Sequence, residues 1–182
     1  MIRLGHELGA IVLEPPHLQW QSVPTPLGPM LIVVSELGVC ACEFDRDAPD
    51  DADVRRWYRR FGKLFLTPAK KPLPAALALA AYFAGRGEGF DLNVDLRGLT
   101  EFQQRVLLAL SRVPLGQTVQ YADLARAVGQ PGAARAVGGA MARNPIPVIL
   151  PCHRVLGAAG LGGFSGGLEL KRSLLLLEGV LA

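Results

Sequence analysis

The run Pro151-Cys152-His153-Arg154-Val155 sets a thiol beside an imidazole and a guanidinium, with the apolar stretch 147–150 ahead of it and a glycine-rich stretch, 160–167, behind it. A thiolate is a strong nucleophile, and a neighbouring imidazole or positive charge lowers a free-thiol pKa of about 8.5 towards the physiological range. Sequence neighbours in an extended chain point apart, so His153 would reach the sulfur by way of a bridging water. An acidic residue is then needed to orient the ring, and Glu178, at the end of the closing helix, is the candidate. The same residues also fit a buried small thiol with no chemistry, and residue types alone leave both readings open. Cys40 and Cys42, alternating on an apolar run, read as packing. A zinc set built from Cys40, Cys42 and two of His6, His17 and His153 fails, because one intervening residue is not the usual ligand spacing.

The elements that would carry these residues follow from pattern. "MLIVV", "SELG" and "VCACEF", from Met30, read as strand, tight turn at Gly38, strand, with Cys40, Cys42 and Phe44 on one face. "DVRRWYRRF" reads as a short helix with a basic side, and "AALALAAYFAG" after Pro72 and Pro74 as a helix stopped by Gly85. "TEFQQRVLLAL" opens with Thr100 and Gln103 in a capping-box pattern and places Phe102, Val106 and Leu110 on one face. Two helices follow, "YADLARAVG" and "AARAVGGAMAR", joined by "QPG"; the second stops before Asn144-Pro145. "PVIL" is expected to be extended and buried, and the closing helix to present Leu170, Leu174 and Leu177. Residues 1–22 carry no clear pattern.

The helix–turn–helix is odd in its second helix. Ala133, Ala134, Ala136, Gly138, Gly139 and Ala140 leave Arg135 as the one long polar side chain before the helix end. Such a helix reads little sequence in a major groove. It could approach a narrow minor groove closely and push Arg135 into the base stack, or simply pack tightly inside the protein; the pattern of residues fits both.

The totals bound these readings. A chain of 182 residues, half of them hydrophobic and 19% charged, supports one sizeable globular core or two touching units. No apolar run approaches the roughly 20 residues that span a bilayer, and the first 20 residues lack a signal-peptide pattern. Three cysteines are too few for a secreted disulfide framework; reduced thiols and a cytoplasmic protein without membrane contact are expected. Residues 1–100 carry 11 basic and 12 acidic side chains, net −1, and residues 101–182 carry 8 and 4, net +4. A mildly basic C-terminal part is compatible with a phosphate backbone.

"PCHRV" with "GGFSGG" behind it and "NP" before it, "RAVGGAMARNP", and "EG" near the end together resemble the O6-alkylguanine-DNA alkyltransferases, the methylated-DNA–protein-cysteine methyltransferases, almost continuously from Phe102 to Gly179. Weaker echoes are "TPLGPMLIVVSELGVCACEF" and "YFAGRGEGFDLNVDLRG". The resemblance implies an α+β protein: a small ribonuclease-H-like α/β domain over 1–97, with 1–22 an uncertain extension, and a mainly helical domain with a winged helix-turn-helix over 98–182. It implies single-turnover direct-reversal repair, in which Cys152 takes the alkyl group from O6 of guanine, less readily from O4 of thymine, in double-stranded DNA. It makes His153 the base, Glu178 its orienting residue and Asn144 the tie between the recognition helix and the active-site segment. Tyr121 and Arg135 would crowd the target phosphate and fill the gap left by the flipped base. Ala134, Ala136 and Gly138 would touch the minor groove, and Met141, Val155, Phe164 and Ser165 would line the pocket, with the carbonyls of Cys152 and Val155 accepting from the guanine amino group. A monomer able to cluster on DNA is implied, with no cofactor.

Two positions depart from the family pattern. Phe164 stands where a tyrosine is usual, which removes a hydroxyl donor, and Leu108 replaces a common tryptophan. The zinc ligands and the cysteine-rich regulatory domain of some members are missing, so no metal and no transcriptional role are expected. A damage-binding protein of the alkyltransferase-like kind is the alternative, and Cys152 argues against it because such proteins have lost the cysteine. A Cys-His-Glu hydrolase would leave the helix-turn-helix unused.

Overall fold

A computed structural model describes residues 1–4, 15–86 and 89–181. His6 lies outside the described residues. The chain divides into two compact units, residues 2–99 and residues 100–182.

The first unit is a mixed six-stranded sheet in the order β1-β6-β4-β3-β2-β5, with β1 Arg3–Leu4, β2 His17–Val23, β3 Met30–Ser35, β4 Gly38–Phe44, β5 Phe65–Pro68 and β6 Asn93–Val94. β2, β3 and β4 form an antiparallel meander, while β5, β6 and β1 add in parallel. The β3–β4 turn needs only Glu36 and Leu37. Gly38, at φ 140, is required there, because a Cβ would lie 2.3 Å from the Asn93 carbonyl oxygen of the neighbouring strand. Helix α1 (Asp51–Phe61) starts on a capping box between Asp50 and Asp53 and turns Trp57 into a core of Leu18, Leu31, Val33, Cys40 and Ala41. Helix α2 (Pro74–Phe83) carries proline in its first turn, buries Leu79, Tyr82 and Phe83, and gives way to Gly85 at φ 66. β2 lies partly inside the stretch 1–22 that carries no legible pattern: its polar residues alternate loosely, and pairing with β3 and β5 supplies the order.

The second unit holds α3 (Glu101–Leu110), α4 (Tyr121–Ala127), α5 (Ala134–Ala142) and α6 (Leu168–Leu177), with a two-residue parallel ribbon of β7 (Val119–Gln120) and β8 (Val155–Leu156). The Thr100–Gln103 capping box forms as its spacing predicts, and α3 buries Val106, Leu107 and Leu110. α4 and α5 are joined by residues 128–133 and pack on each other and on α3.

Two local expectations are corrected. Residues 147–150 are not a strand: the Leu150 amide bonds back to Ile146 O at 2.9 Å and the Cys152 amide to Leu150 O at 2.8 Å, so the chain winds through tight turns. Pro145 and Pro147 have no amide hydrogen to pair, and the Asn144 side chain takes over, donating to Leu150 O at 2.7 Å and accepting from the Ile146 amide at 3.0 Å. Within this turn Val148 is held at φ 72, an unfavourable place for a β-branched residue, and is fully buried. The inward face of α6 is also rotated. It buries Lys171, Leu174 and Leu175, with Glu178 next in the same stripe, whereas Leu177 is 41% exposed. Four consecutive leucines give periodicity nothing to discriminate, and the polar groups at 171 and 178 decide the rotation.

Candidate active site

Cys152 opens a single 3-10 turn, Cys152–Arg154, at the end of the wound segment. Its residue is 4% exposed, and it forms part of the wall of a cavity of about 250 Å³ lined by Tyr121, Gly138, Met141, Ala142, Cys152, Gly163, Phe164 and Ser165. That volume lies just below the roughly 300 Å³ lower bound for pockets that take drug-sized ligands. Burial pushes the thiol up to about 11, while the Asn144 amide, donating to the sulfur at 3.2 Å, backbone hydrogen bonds and the charge of Lys171 pull the other way.

The two residues that follow Cys152 enter a connected polar chain. His153 Nε2 meets Glu178 Oε1 at 2.7 Å, and Arg154 grips both oxygens of the same carboxylate, Nε to Oε2 and Nη2 to Oε1 at 2.8 Å each. Arg154 Nη1 also donates to Val113 O at 2.6 Å. Burial would raise the Glu178 pKa, but the hydrogen bonds from His153 and Arg154 outweigh it and hold the carboxyl at about 2. Burial pushes the His153 pKa down. An ionised carboxylate can only accept, so Nε2 must carry the ring hydrogen, and the neutral imidazole keeps its lone pair on Nδ1. That Nδ1 is buried and has no protein partner. A thiol and an unused imidazole base on adjacent residues are the parts of a nucleophile with a proton acceptor.

The glycine-rich loop is shaped by contact with α4. Gly162, at φ 69, sits where a Cβ would come within 2.9 Å of the Gly157 amide nitrogen and 3.2 Å of the Tyr121 ring. Tyr121 Oη donates to Gly163 O at 3.4 Å.

Of the residues singled out from the sequence, Tyr121, Gly138, Met141, Cys152, Phe164 and Ser165 meet around the cavity. Asn144, His153 and Glu178 join through the hydrogen bonds above. Val155 is buried and is not among the lining residues; its carbonyl accepts from Lys171 Nζ at 2.6 Å, and its amide donates to Cys152 O. Ala134, Arg135 and Ala136 lie on the first turn of α5, with Arg135 and Ala136 exposed and none of the three lining the cavity. Reading by residue type missed the parts played by Arg154 and Lys171. A charged residue on the leucine stripe of α6 was the available signal for the second.

A buried thiol next to an imidazole with a free nitrogen, on the wall of a cavity in a helical unit, is an arrangement able to accept or transfer a group. Residues 101–180 match the family described as 6-O-methylguanine DNA methyltransferase, DNA binding domain. A methylated-DNA–protein-cysteine methyltransferase of Methanosarcina acetivorans is 39% identical over 162 residues, which is 85% of this chain and 94% of the relative. One from Mycobacterium tuberculosis is 56% identical over 101 residues, covering 55% of this chain and 61% of the relative, so that match spans about three-fifths of the mycobacterial protein. The crystal structure of Mycobacterium tuberculosis O6-methylguanine methyltransferase superposes with a TM-score of 0.71 at 38% identity, over 88% of this chain and 92% of that one. The structure of Mycobacterium tuberculosis OGT in complex with DNA gives 0.70 at 39%, over 89% and 92%. The chain belongs to the methylated-DNA–protein-cysteine methyltransferase family.

Proposed function

We propose that the protein repairs DNA by direct reversal, moving a methyl or larger alkyl group from O6 of guanine in a duplex onto Cys152, once per molecule. The observation that carries this reading is the cavity that has Cys152 in its wall, together with the buried, unpartnered Nδ1 of the adjoining His153. In the proposed step His153 Nδ1 takes the thiol proton by way of a water. The sulfur then forms a bond to the alkyl carbon as that carbon's bond to O6 breaks, and the electron pair leaves with the guanine. The imidazolium so formed is stabilised by the Glu178 carboxylate. The thioether that remains is neutral and stable, which ends the cycle.

A base inside a duplex is out of reach of a buried sulfur, so the target must swing out, at a cost of a few kcal/mol. In this reading Arg135 fills the vacated place, Ala134, Ala136 and Gly138 let α5 sit in the minor groove without sequence preference, and Tyr121 crowds the target phosphate. Asn144 holds the turn that carries the nucleophile, and Met141, Val155, Phe164 and Ser165 enclose the base. Phe164 supplies a ring but no hydroxyl, which leaves Tyr121 and Ser165 as the hydroxyl-bearing side chains of the wall. We assign α4 and α5 with the β7–β8 ribbon to a winged helix-turn-helix and residues 1–97 to a ribonuclease-H-like domain, the remainder from 98 carrying the DNA contacts. The protein is taken to act as a monomer in the cytoplasm; among the described residues no helix is long and apolar enough to cross a membrane.

Incubation with a duplex oligonucleotide containing O6-methylguanine, followed by peptide mass spectrometry, tests the reading. One methyl group per chain on Cys152, and none on a Cys152→Ala protein that still binds the duplex, is the expected result. Wild-type protein that binds the lesion and never gains a methyl group would instead favour a damage-binding role.

A further inference from the structure

Lys171 sits on the inward stripe of α6 with no exposed surface. Its Nζ donates to three carbonyl oxygens, those of Val155 at 2.6 Å, Leu161 at 2.5 Å and Gly163 at 3.3 Å, which uses every hydrogen of the ammonium. The ion pairs of this unit join Glu101 to Arg105, Asp123 to Arg126, and Glu178 to His153 and Arg154; among the described residues none includes Lys171. A buried cation without a carboxylate is costly, and an apolar side chain on the same stripe would be cheaper for the fold.

The three carbonyls indicate what the cation does. Val155 follows directly on the turn that carries the nucleophile. Leu161 and Gly163 flank Gly162 in the loop that walls the cavity, and Gly163 O also accepts from Tyr121. One ammonium therefore joins the segment that follows the nucleophile's turn to the loop that lines the cavity. The titratable and charged groups gathered here are Cys152, His153 and Arg154 on the turn, Tyr121 on α4, and Lys171 and Glu178 along α6. Burial pushes the Lys171 pKa down, and the one charge that opposes this is that of Cys152. The charge of Lys171 in turn favours the Cys152 thiolate over the thiol.

We infer that Lys171 is a positioning residue for the transfer, clipping the cavity loop 161–163 to the nucleophile's segment and holding a positive charge that favours the sulfur anion. The role rests on the reading of Cys152 as alkyl acceptor. The charge is matched in the reactive thiolate form and unmatched in the thiol and the thioether, so it favours the species that attacks.

The test compares wild type, Lys171→Met and Lys171→Arg by two readouts. The first is the single-turnover rate of methyl uptake from an O6-methylguanine duplex. The second needs no DNA: the pH dependence of Cys152 carboxamidomethylation by iodoacetamide, followed on the Cys152 peptide. Lys171→Met is expected to move that profile up by about one pH unit, the lower end of what an adjacent opposite charge does, and to slow methyl uptake about tenfold or more near neutral pH. Lys171→Arg keeps the charge and is expected to restore the pH profile while leaving the rate short of wild type, because a planar fork cannot meet three carbonyls as a tetrahedral ammonium does. A Lys171→Met protein that is merely less stable, with both readouts unchanged in its folded fraction, overturns the inference. If that variant does not fold, wild-type protein decides the question, since the chain has four lysines and the other three, Lys63, Lys70 and Lys71, are exposed. The Lys171 Cε resonance in a carbon-13 pH titration is expected to sense a Cys152 step that vanishes in Cys152→Ala, and its absence in wild type overturns the inference too. Wild type that shows the thiol profile and the coupling but takes no methyl group defeats the transfer reading and not the electrostatic link.

Discussion

Cys40 and Cys42 lie in the sheet unit at 0% exposure and Cys152 lies in the helical unit at 4%, so burial barely separates the three thiols. Their neighbours do. Burial pushes Cys40 up to about 12 and Cys42 further; Cys40 donates to Val33 O at 3.5 Å, in the apolar layer between β3, β4 and α1. Cys152 meets an amide donor, a lysine charge and a cavity. The buried polar groups of the two units differ in the same way. In the sheet unit Asp95 takes hydrogen bonds from Ser35 at 2.6 Å and from Arg97, while Arg60 donates to the carbonyls of Cys40, Asp95 and Arg97, which ties loops to strand ends. In the helical unit the Arg154–Glu178–His153 chain leaves the His153 Nδ1 unspent, on the residue next to Cys152. Among the described residues of the sheet unit the buried side-chain nitrogens left without a hydrogen-bond partner, Trp57 Nε1 and Arg46 Nε, are donors, whereas the free nitrogen of the neutral His153 ring is an acceptor and can serve as a base.

The sharpest way to break this contrast is differential labelling of the native protein with iodoacetamide at pH 8.5. Cys152 should be modified and Cys40 and Cys42 left intact until denaturant is added; equal labelling of all three would erase the distinction. Glu178→Ala should come next in size, since it strands the buried Arg154 and His153 together. We expect a loss of about 3–5 kcal/mol in urea unfolding, with methyl uptake impaired in the protein that remains folded. The matching change in the other unit, Asp95→Ala, takes a partner from the largely buried Arg97 guanidinium and from the Ser35 hydroxyl, and should cost about 2 kcal/mol while the rate of methyl uptake per folded molecule stays at the wild-type value. A drop in that rate would make the sheet unit part of the catalytic apparatus.

Acid should expose the same asymmetry more gently. Glu178 is held at about 2 against an ordinary 4.5, so its contribution is complete above pH 4.5 and drains away as pH falls towards 2. His153 is buried as the neutral ring, below its ordinary 6.5, so the unfolded chain binds a proton first and stability starts to fall below that pH. In Glu178→Gln the lower of these two losses should flatten in a series of unfolding midpoints against pH. The smallest expected effect is that of Thr100→Ala, which removes the cap of α3 and should cost about 1 kcal/mol with no change in uptake.

Legibility in the sequence followed the range of the interactions. The Thr100–Gln103 box, the Pro74 start and Gly85 stop, the β3–β4 hairpin and the end of α5 before Asn144-Pro145 are settled by neighbours within four residues, and all of these could be read directly. The wound segment 145–151 could not, because its shape depends on where the Asn144 amide finds Leu150 O and on a left-handed Val148 held by packing. Pairing of Cys152, His153 and Glu178 could be suspected from residue types, but Arg154 gripping the same carboxylate and Lys171 feeding three carbonyls had no local mark beyond charge on an apolar stripe.

By itself, then, the chain's order of residues determined the two-part composition, the local helix and turn signals, and a thiol set between an imidazole and a glycine-rich loop, since each depends on contacts a few residues long. Tertiary structure decided which thiol faces a cavity, which imidazole nitrogen stays free and which way α6 turns. Those outcomes depend on partners such as Glu178, 25 residues from His153, and Arg154, 41 residues from the Val113 carbonyl it holds. Their encounter is set by the packing of whole helices rather than by spacing along the chain.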